Sequence, residues 1–414
     1  MKRNLCHSGL DPESRIRKIK TWILNRTPGY TLLQSNSPKV QNDNRKEIAS
    51  LFVFLSLFLF SYTAHAEEIP QIPLEDKVDQ MLMIGFRGMD VTPSSDIEKI
   101  LKETHVGGVI LFDYDTTTKT YNRNIQNKKQ LQTLTKNLQS KAQENGIPKL
   151  FVAIDQEGGL VNRLKPGYGF PVFNSAQVVF SMGYIFAQTQ YTRLANELAS
   201  VGVNVNFGPV LDVTTNPQST IYKQKRMYSK NAISVSQFAR VFIDALSTKK
   251  ILSVGKHYPG LGDLVFDTHT LLGQVKTRST LGLYPYKQLI TEKKLQAVMM
   301  GHIRVTDVDP VYPASLSSQH IDYLRNILGF DGIIFTDDLE MKGLSSLYTL
   351  KERVVYAVNA GNTVLIFSNN MGNYNPDLFF KVRTIVMDGV KDGTIDVKKI
   401  DDAYRRIIEA KARL

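Results

Sequence analysis

From Glu67 onward the chain alternates short apolar runs rich in Val, Ile and Phe with longer stretches in which apolar residues recur at helical spacing. That alternation is the pattern of a parallel sheet with crossover helices. Eight runs predict strands, at 81–86, 107–112, 150–154, 203–207, 251–255, 297–300, 332–335 and 363–367. Each is apolar on both faces, as an interior parallel strand must be. Between them the spacing predicts helices over 128–145, 191–201, 234–249, 283–294, 318–328 and 349–360, with Asn145-Gly146 and Ala360-Gly361 as stop signals. A last amphipathic helix is predicted over 400–414. Eight βα units within roughly 300 residues favour a closed α/β structure, a TIM-type (β/α)₈ barrel, over an open sheet. No Gly-x-Gly-x-x-Gly follows the first strand, so a dinucleotide-binding fold lacks its main sequence support.

Composition changes this picture mainly at the N-terminus. The chain has 414 residues, 42% of them hydrophobic, and a formal charge of +12. Residues 1–66 hold ten Lys and Arg against four Asp and Glu, so +6, half of the total, lies there. No Lys/Arg block interleaved with aromatics follows, which argues against a nucleic-acid partner. Arg45-Lys46, the apolar run 49–60 and the ending Ala64-His65-Ala66 have the three parts of a secretory signal peptide, with cleavage expected after Ala66. The alternative is an uncleaved anchor, but the run is shorter than the roughly 20 apolar residues a span requires. The reading is therefore an uncharacterised extension at 1–45, a signal peptide at 46–66 and one catalytic domain at 67–414. It implies a secreted or periplasmic monomer without stable membrane insertion once cleaved. The single cysteine, Cys6, precedes the domain, so no disulfide is expected within it.

In such a barrel, chemistry is built by the loops that leave the C-terminal ends of the strands. Those loops are rich in polar groups here: Asp155-Gln-Glu157-Gly-Gly159 with Arg163 after the third strand, Asp212 after the fourth, and Lys256-His257 with Asp267-Thr-His269 after the fifth. His302 follows the sixth strand and Asp337-Asp338 the seventh. An Asp at a βα junction can equally be a helix N-cap, and His257 or His302 could be a satisfied core histidine. The recurrence of polar groups after strands three to seven favours a site.

The block Gly255-Lys-His-Tyr-Pro-Gly-Leu-Gly-Asp263 with Asp267-Thr-His269 resembles the signature of family 3 β-N-acetylglucosaminidases. Ile154-Asp-Gln-Glu-Gly-Gly159 and Gly332-Ile-Ile-Phe-Thr-Asp-Asp-Leu339 match further family motifs in family order, and the resemblance runs from about Leu74 to the C-terminus. It implies removal of terminal β-linked N-acetylglucosamine, with Asp337 as nucleophile, His269 as general acid/base and Asp267 as its partner. Asp155, Arg163, Lys256 and His257 match positions that hold sugar hydroxyls, and Arg226 matches more loosely. The resemblance further implies peptidoglycan fragments or chitin-type oligosaccharides as substrate, and no metal or cofactor. Thr336, Leu160 and Leu261 depart from the family pattern, in which these positions carry Ser, often a basic residue, and often His.

Two other classes fit parts of the same pattern. Converging histidines suit a metal-dependent hydrolase, although the usual His-x-His of an early strand is absent. A secreted sugar-binding barrel without catalysis is the other, against which stands the presence of all three presumed catalytic residues. Within the enzymatic reading, a histidine acid/base admits phosphate as an alternative acceptor to water, because it does not repel an anion as a carboxylate would.

Overall fold

A computed structural model describes residues 72–265 and 270–414. The segments read as extension (1–45) and signal peptide (46–66) lie outside the described residues, as do Asp267 and His269.

Eight parallel strands form one sheet: β1 Leu82–Gly85, β2 Gly108–Leu111, β3 Phe151–Ile154, β4 Val205–Asn206, β5 Leu252–Tyr258, β6 Ala297–Met300, β7 Ile333–Thr336 and β8 Leu365–Phe367. Their order is β7-β6-β5-β4-β3-β2-β1-β8. A bridge from Phe335 to Val364 joins the two ends, and Thr336 N donates to Val364 O at 3.0 Å, so the sheet closes on itself. Every residue of the eight strands is buried. The barrel interior is filled by rings, with Phe335 meeting Phe151 and Phe207 edge-to-face at centroid separations of 6.2 and 5.5 Å.

The outer layer includes α1 Leu74–Gln80, α2 Asp96–Glu103, α3 Lys128–Glu144, α4 Tyr184–Ser200, α5 Ala232–Ser247, α6 Thr280–Thr291, α7 Leu350–Ala360, α8 Leu378–Lys391 and α9 Val397–Lys411. Their starts are chemically marked. Asn231 accepts from Ile233 N and Ser234 N ahead of α5, and Thr349 with Glu352 forms a capping box on α7. The predicted helix over 318–328 is divided, with Ser318–Asp322 passing into a π-helical turn at Tyr323–Ile327.

Two strands differ from the sequence reading in length for physical reasons. β4 is two residues long because its asparagines replace ladder bonds with side-chain bonds. Asn204 Oδ1 accepts from Val152 N at 2.7 Å, and Asn206 exchanges two 3.0 Å bonds with the Gln156 backbone. β5 runs three residues past Gly255, through Lys256, His257 and Tyr258, because Lys256 and His257 find carboxylate partners within the barrel. At the opposite end α9 contributes Lys411, whose Nζ donates to Gln80 Oε1 and Gly107 O. Burial holds that amine well below the usual lysine range.

Candidate active site

A cavity of about 470 Å³ opens at the C-terminal ends of the strands. Asp155, Arg163, Arg226, Lys256, His257 and Asp337, all singled out from sequence, lie on its wall. They come from β5 itself and from the βα connections after β3, β4 and β7. Closure of the barrel brings together residues as much as 182 positions apart, from Asp155 to Asp337. Apolar side chains share the lining with them, among them Phe112, Leu160, Leu261, Met341 and Met371.

The charged wall is a chain of ion pairs. Lys256 Nζ lies 2.7 Å from Asp155 Oδ1 and 2.8 Å from Glu157 Oε1. Arg226 grips Glu157 with both ends of its fork, Nε to Oε2 at 2.8 Å and an Nη to Oε1 at 2.7 Å. Burial alone would raise the Glu157 pKa, but Arg226 and Lys256 more than offset it and hold the carboxyl far below its usual range. The same pairing keeps both cations charged: burial acts to lower Lys256 and Arg226, while Asp155 and Glu157 raise Lys256 and Glu157 raises Arg226. The loop that carries Glu157 needs Gly158 and Gly159, at φ +95° and +64°, and a Cβ on Gly158 would meet Asn174 O at 2.3 Å.

His257 is oriented from behind. Its Nδ1 is 2.8 Å from Asp212 Oδ2, while Asp212 Oδ1 accepts from Leu261 N at 2.6 Å. One buried carboxylate thus fixes both the imidazole and the start of the loop that leads toward residues 266–269. Arg163 stands farther off, 3.9 Å from both Asp113 and Asp155, over the Phe112 ring.

Asp337 sits at the mouth of β7, anchored by its own N–H to Met300 O at 2.9 Å, and its Oδ1 accepts from Asp338 N. The hydroxyl of Thr336, at the position where the resembling family carries Ser, accepts from Ile366 N and ties β7 to β8. Asp338, which also lines the cavity, and Glu340 form a second acidic pair next to Asp337. Burial, with Asp337 adding repulsion, raises the Asp338 carboxyl to about 6, and burial with Asp338 beside it raises Glu340 to about 8. Glu340 also accepts from Asn369 N at 2.5 Å, and Asn370 takes bonds from Arg123 and Thr116 N, so loops after β2, β7 and β8 share one network.

His302 is the satisfied core histidine of the alternative reading. It is fully buried, with ring nitrogens 2.7 Å from Ser315 Oγ and 2.9 Å from Asp338 O. None of Asp155, Asp212 or Asp337 caps a helix. Asp76, Asp79 and His105 group closely enough to suit an ion, but Arg383 already binds Asp79 with two 2.6 Å bonds, and α1 lies at the other end of the barrel from the cavity. Glu157, Asp212, Asp338 and Glu340 are members of the site that the sequence reading assigned no role. Glu157, Asp212 and Asp338 stand among the polar groups after the strands that the sequence singles out, without a role of their own. Glu340 carried no such signal.

Residues 73–410 match the N-terminal domain of glycosyl hydrolase family 3. The chain belongs to that family. As a family 3 glycoside hydrolase it is 32% identical over 304 residues to a β-hexosaminidase of Shewanella frigidimarina, covering 71% of this chain and 83% of the relative. It is 28% identical to β-hexosaminidase A of Pseudoalteromonas piscicida, covering 86% of this chain and 64% of that one. Among solved structures, a family 3 β-N-acetylglucosaminidase from a Paenibacillus species superposes with a TM-score of 0.74 at 31% identity, over 83% of this chain and 62% of its own. A β-N-acetylhexosaminidase from Beutenbergia cavernae gives 0.72 at 25% identity, over 83% and 99%. The family 3 chain therefore spans less than two thirds of some relatives and nearly all of others.

Proposed function

We propose that this family 3 enzyme is an exo-acting, retaining β-N-acetylglucosaminidase. The observation that carries the reading is the position of Asp337 on the same cavity wall as Asp155, Arg163, Lys256 and His257. A carboxylate at the end of a buried strand shares its cavity with donors and an acceptor suited to sugar hydroxyls. The β-hexosaminidase and β-N-acetylglucosaminidase relatives support the substrate class.

Retention needs a nucleophile on one side of the anomeric carbon and a proton donor beside the leaving oxygen. In this reading Asp337 attacks the anomeric carbon as the bond to the leaving oxygen breaks, giving a covalent glycosyl-aspartate. His269 delivers the proton to that oxygen, then takes one from the water that releases the sugar, and Asp267 orients it. Both lie in the loop whose start is pinned by Asp212 through Leu261 N. Lys256, Asp155 and His257 hold ring hydroxyls, and the apolar side chains of the lining receive carbon faces of the sugar. No metal or cofactor takes part. The substrates are N-acetylglucosaminides of peptidoglycan fragments or chitin-type oligosaccharides, and the segment at 46–66 exports a monomeric enzyme to the periplasm or beyond.

The test is turnover of a chromogenic β-N-acetylglucosaminide by wild type and Asp337→Ala, with and without phosphate, before and after a strong chelator. Chelator-resistant, phosphate-independent turnover that Asp337→Ala abolishes supports the reading. Turnover by the variant at the wild-type rate contradicts it.

A further inference from the structure

The face beside the cavity mouth, on the β3 and β4 side, has an unusual charge balance. Between Gly158 and Ile243 the sole acidic residues are Glu197 and Asp212, against eight Lys and Arg. Glu197 is paired with Lys128, and Asp212 is buried against His257. Lys223, at the end of the short helix Thr220–Lys223, and Lys225 and Lys230 beyond it are exposed in the connection after β4, and among the described residues none of them has an acidic partner. Lys230 lies 5.0 Å over the Tyr222 ring.

Against these lysines stands a projecting apolar corner. The helix Ala176–Met182 ends at Gly183, with φ +87°, and α4 begins at once. A Cβ on Gly183 would meet no heavy atom within 4 Å, so the corner stands clear of the rest of the fold. It presents Met182, Tyr184 and Ile185 at 59%, 53% and 80% exposure, with Ile233 at 51% at the start of α5. Contacts bind corner and lysine loop into one surface: Phe180 and Tyr184 pack on Phe238 of α5 at 5.1 and 6.3 Å, and Gln177 N donates to Lys225 O. Helices of this barrel start at the C-terminal ends of the strands, so the surface shares the side of the cavity mouth.

We propose that this surface docks on a bilayer with anionic headgroups, Met182, Tyr184 and Ile185 entering the interface while Lys223, Lys225 and Lys230 meet the phosphates. Exposed apolar side chains have nothing to gain from a soluble anionic polymer, whereas an interface takes both apolar tips and a basic ring. Docking in this way brings the mouth of the cavity to the lipid surface, on the side from which a membrane-linked glycan would enter. It requires no helix that spans the membrane, and among the described residues none is long and apolar enough to do so.

Trp22 is the chain's one tryptophan, so a full-length Trp22→Phe background allows a single reporter. Ile185→Trp places it on the corner. Ile327→Trp places it at an exposed position just before β7, at the other end of the barrel. With mixed phosphatidylglycerol–phosphatidylcholine vesicles, emission at position 185 should shift to the blue and at 327 should not, and phosphatidylcholine alone should shift neither. Lys223→Glu, Lys225→Glu and Lys230→Glu together should weaken the response roughly a hundredfold or more. The apolar run 49–60 would give no headgroup preference at position 185. Turnover of a soluble substrate should be unchanged in every variant, which separates folding from docking. No shift at 185, an equal shift at 185 and 327, or a triple variant that binds as before would overturn the proposal, the last two pointing to tethering by another segment and the first to a protein or polymer partner.

Discussion

Lys256 bridges Asp155 and Glu157, with its Nζ 2.7 Å from one carboxylate and 2.8 Å from the other. The lysine therefore does two jobs: it completes a buried ion cluster, and it presents Asp155 to the cavity. Losing it leaves Glu157 to Arg226 alone, and leaves Asp155 with Arg163 at 3.9 Å. Lys256→Met should lower kcat/KM by ~10–100-fold, the range of a hydrogen bond to a charged group, measured on a soluble aryl substrate.

Glu157 is predicted to matter for stability first. Its carboxylate sits between two cations with little exposure, and removing one partner of a buried pair costs about 3–5 kcal/mol. Glu157→Gln should lower the unfolding free energy by an amount in that range, read as a lower denaturant midpoint at unchanged slope. A fall in kcat/KM with an unchanged midpoint would show the cluster to be catalytic rather than structural.

Asp212 does not itself line the cavity but holds two residues that do, His257 and Leu261 of the following loop. Asp212→Asn keeps the shape and weakens both bonds. The expected outcome is a roughly tenfold drop in kcat/KM, from about 1.4 kcal/mol of lost orientation, together with faster amide exchange at Leu261.

The raised carboxyl of Glu340 carries a signed prediction for pH. Its folded-state pKa, about 8, lies above the ordinary 4.5, so the folded protein prefers the protonated form. The contribution is fully present below about pH 4.5 and is lost as pH rises toward 8. Glu340→Gln should flatten the dependence of Tm on pH across that window while keeping the acceptor for Asn369 N. A variant whose Tm falls as steeply with pH as wild type would remove Glu340 as the cause.

The barrel was legible because each strand is buried on both faces, and a continuous apolar run announces that without ambiguity. Reading stopped where burial and polarity separate. The sequence pattern ends β5 at Gly255, since Lys256 and His257 look like loop residues without Asp155, Glu157 and Asp212 beside them. The helical period starts only at Tyr191, whereas α4 starts at Tyr184, because Tyr184 and Ile185 are apolar yet exposed. Helices α1, α2 and α8 were not read at all. Site residues that follow strands directly were found; Glu340 was not, because its role comes from Asn369 and Asp338 folding around it.

His269 lies in the segment resembling the family's acid/base motif, and its contribution is separable by leaving group. Loss of a proton donor hurts poor leaving groups most. His269→Ala should cut turnover of an alkyl N-acetylglucosaminide far more, by ~10²-fold or greater, than that of an activated nitrophenyl one. Equal losses on both would assign the histidine to binding.

The central claim is that Asp337 forms the covalent bond. A slow fluorinated N-acetylglucosaminide should trap the intermediate, and peptide mass spectrometry should find one glycosyl residue added to the peptide that contains Asp337, with none on Asp337→Ala. An adduct on another carboxylate such as Asp338, or release of the inverted anomer with no adduct, would contradict the account.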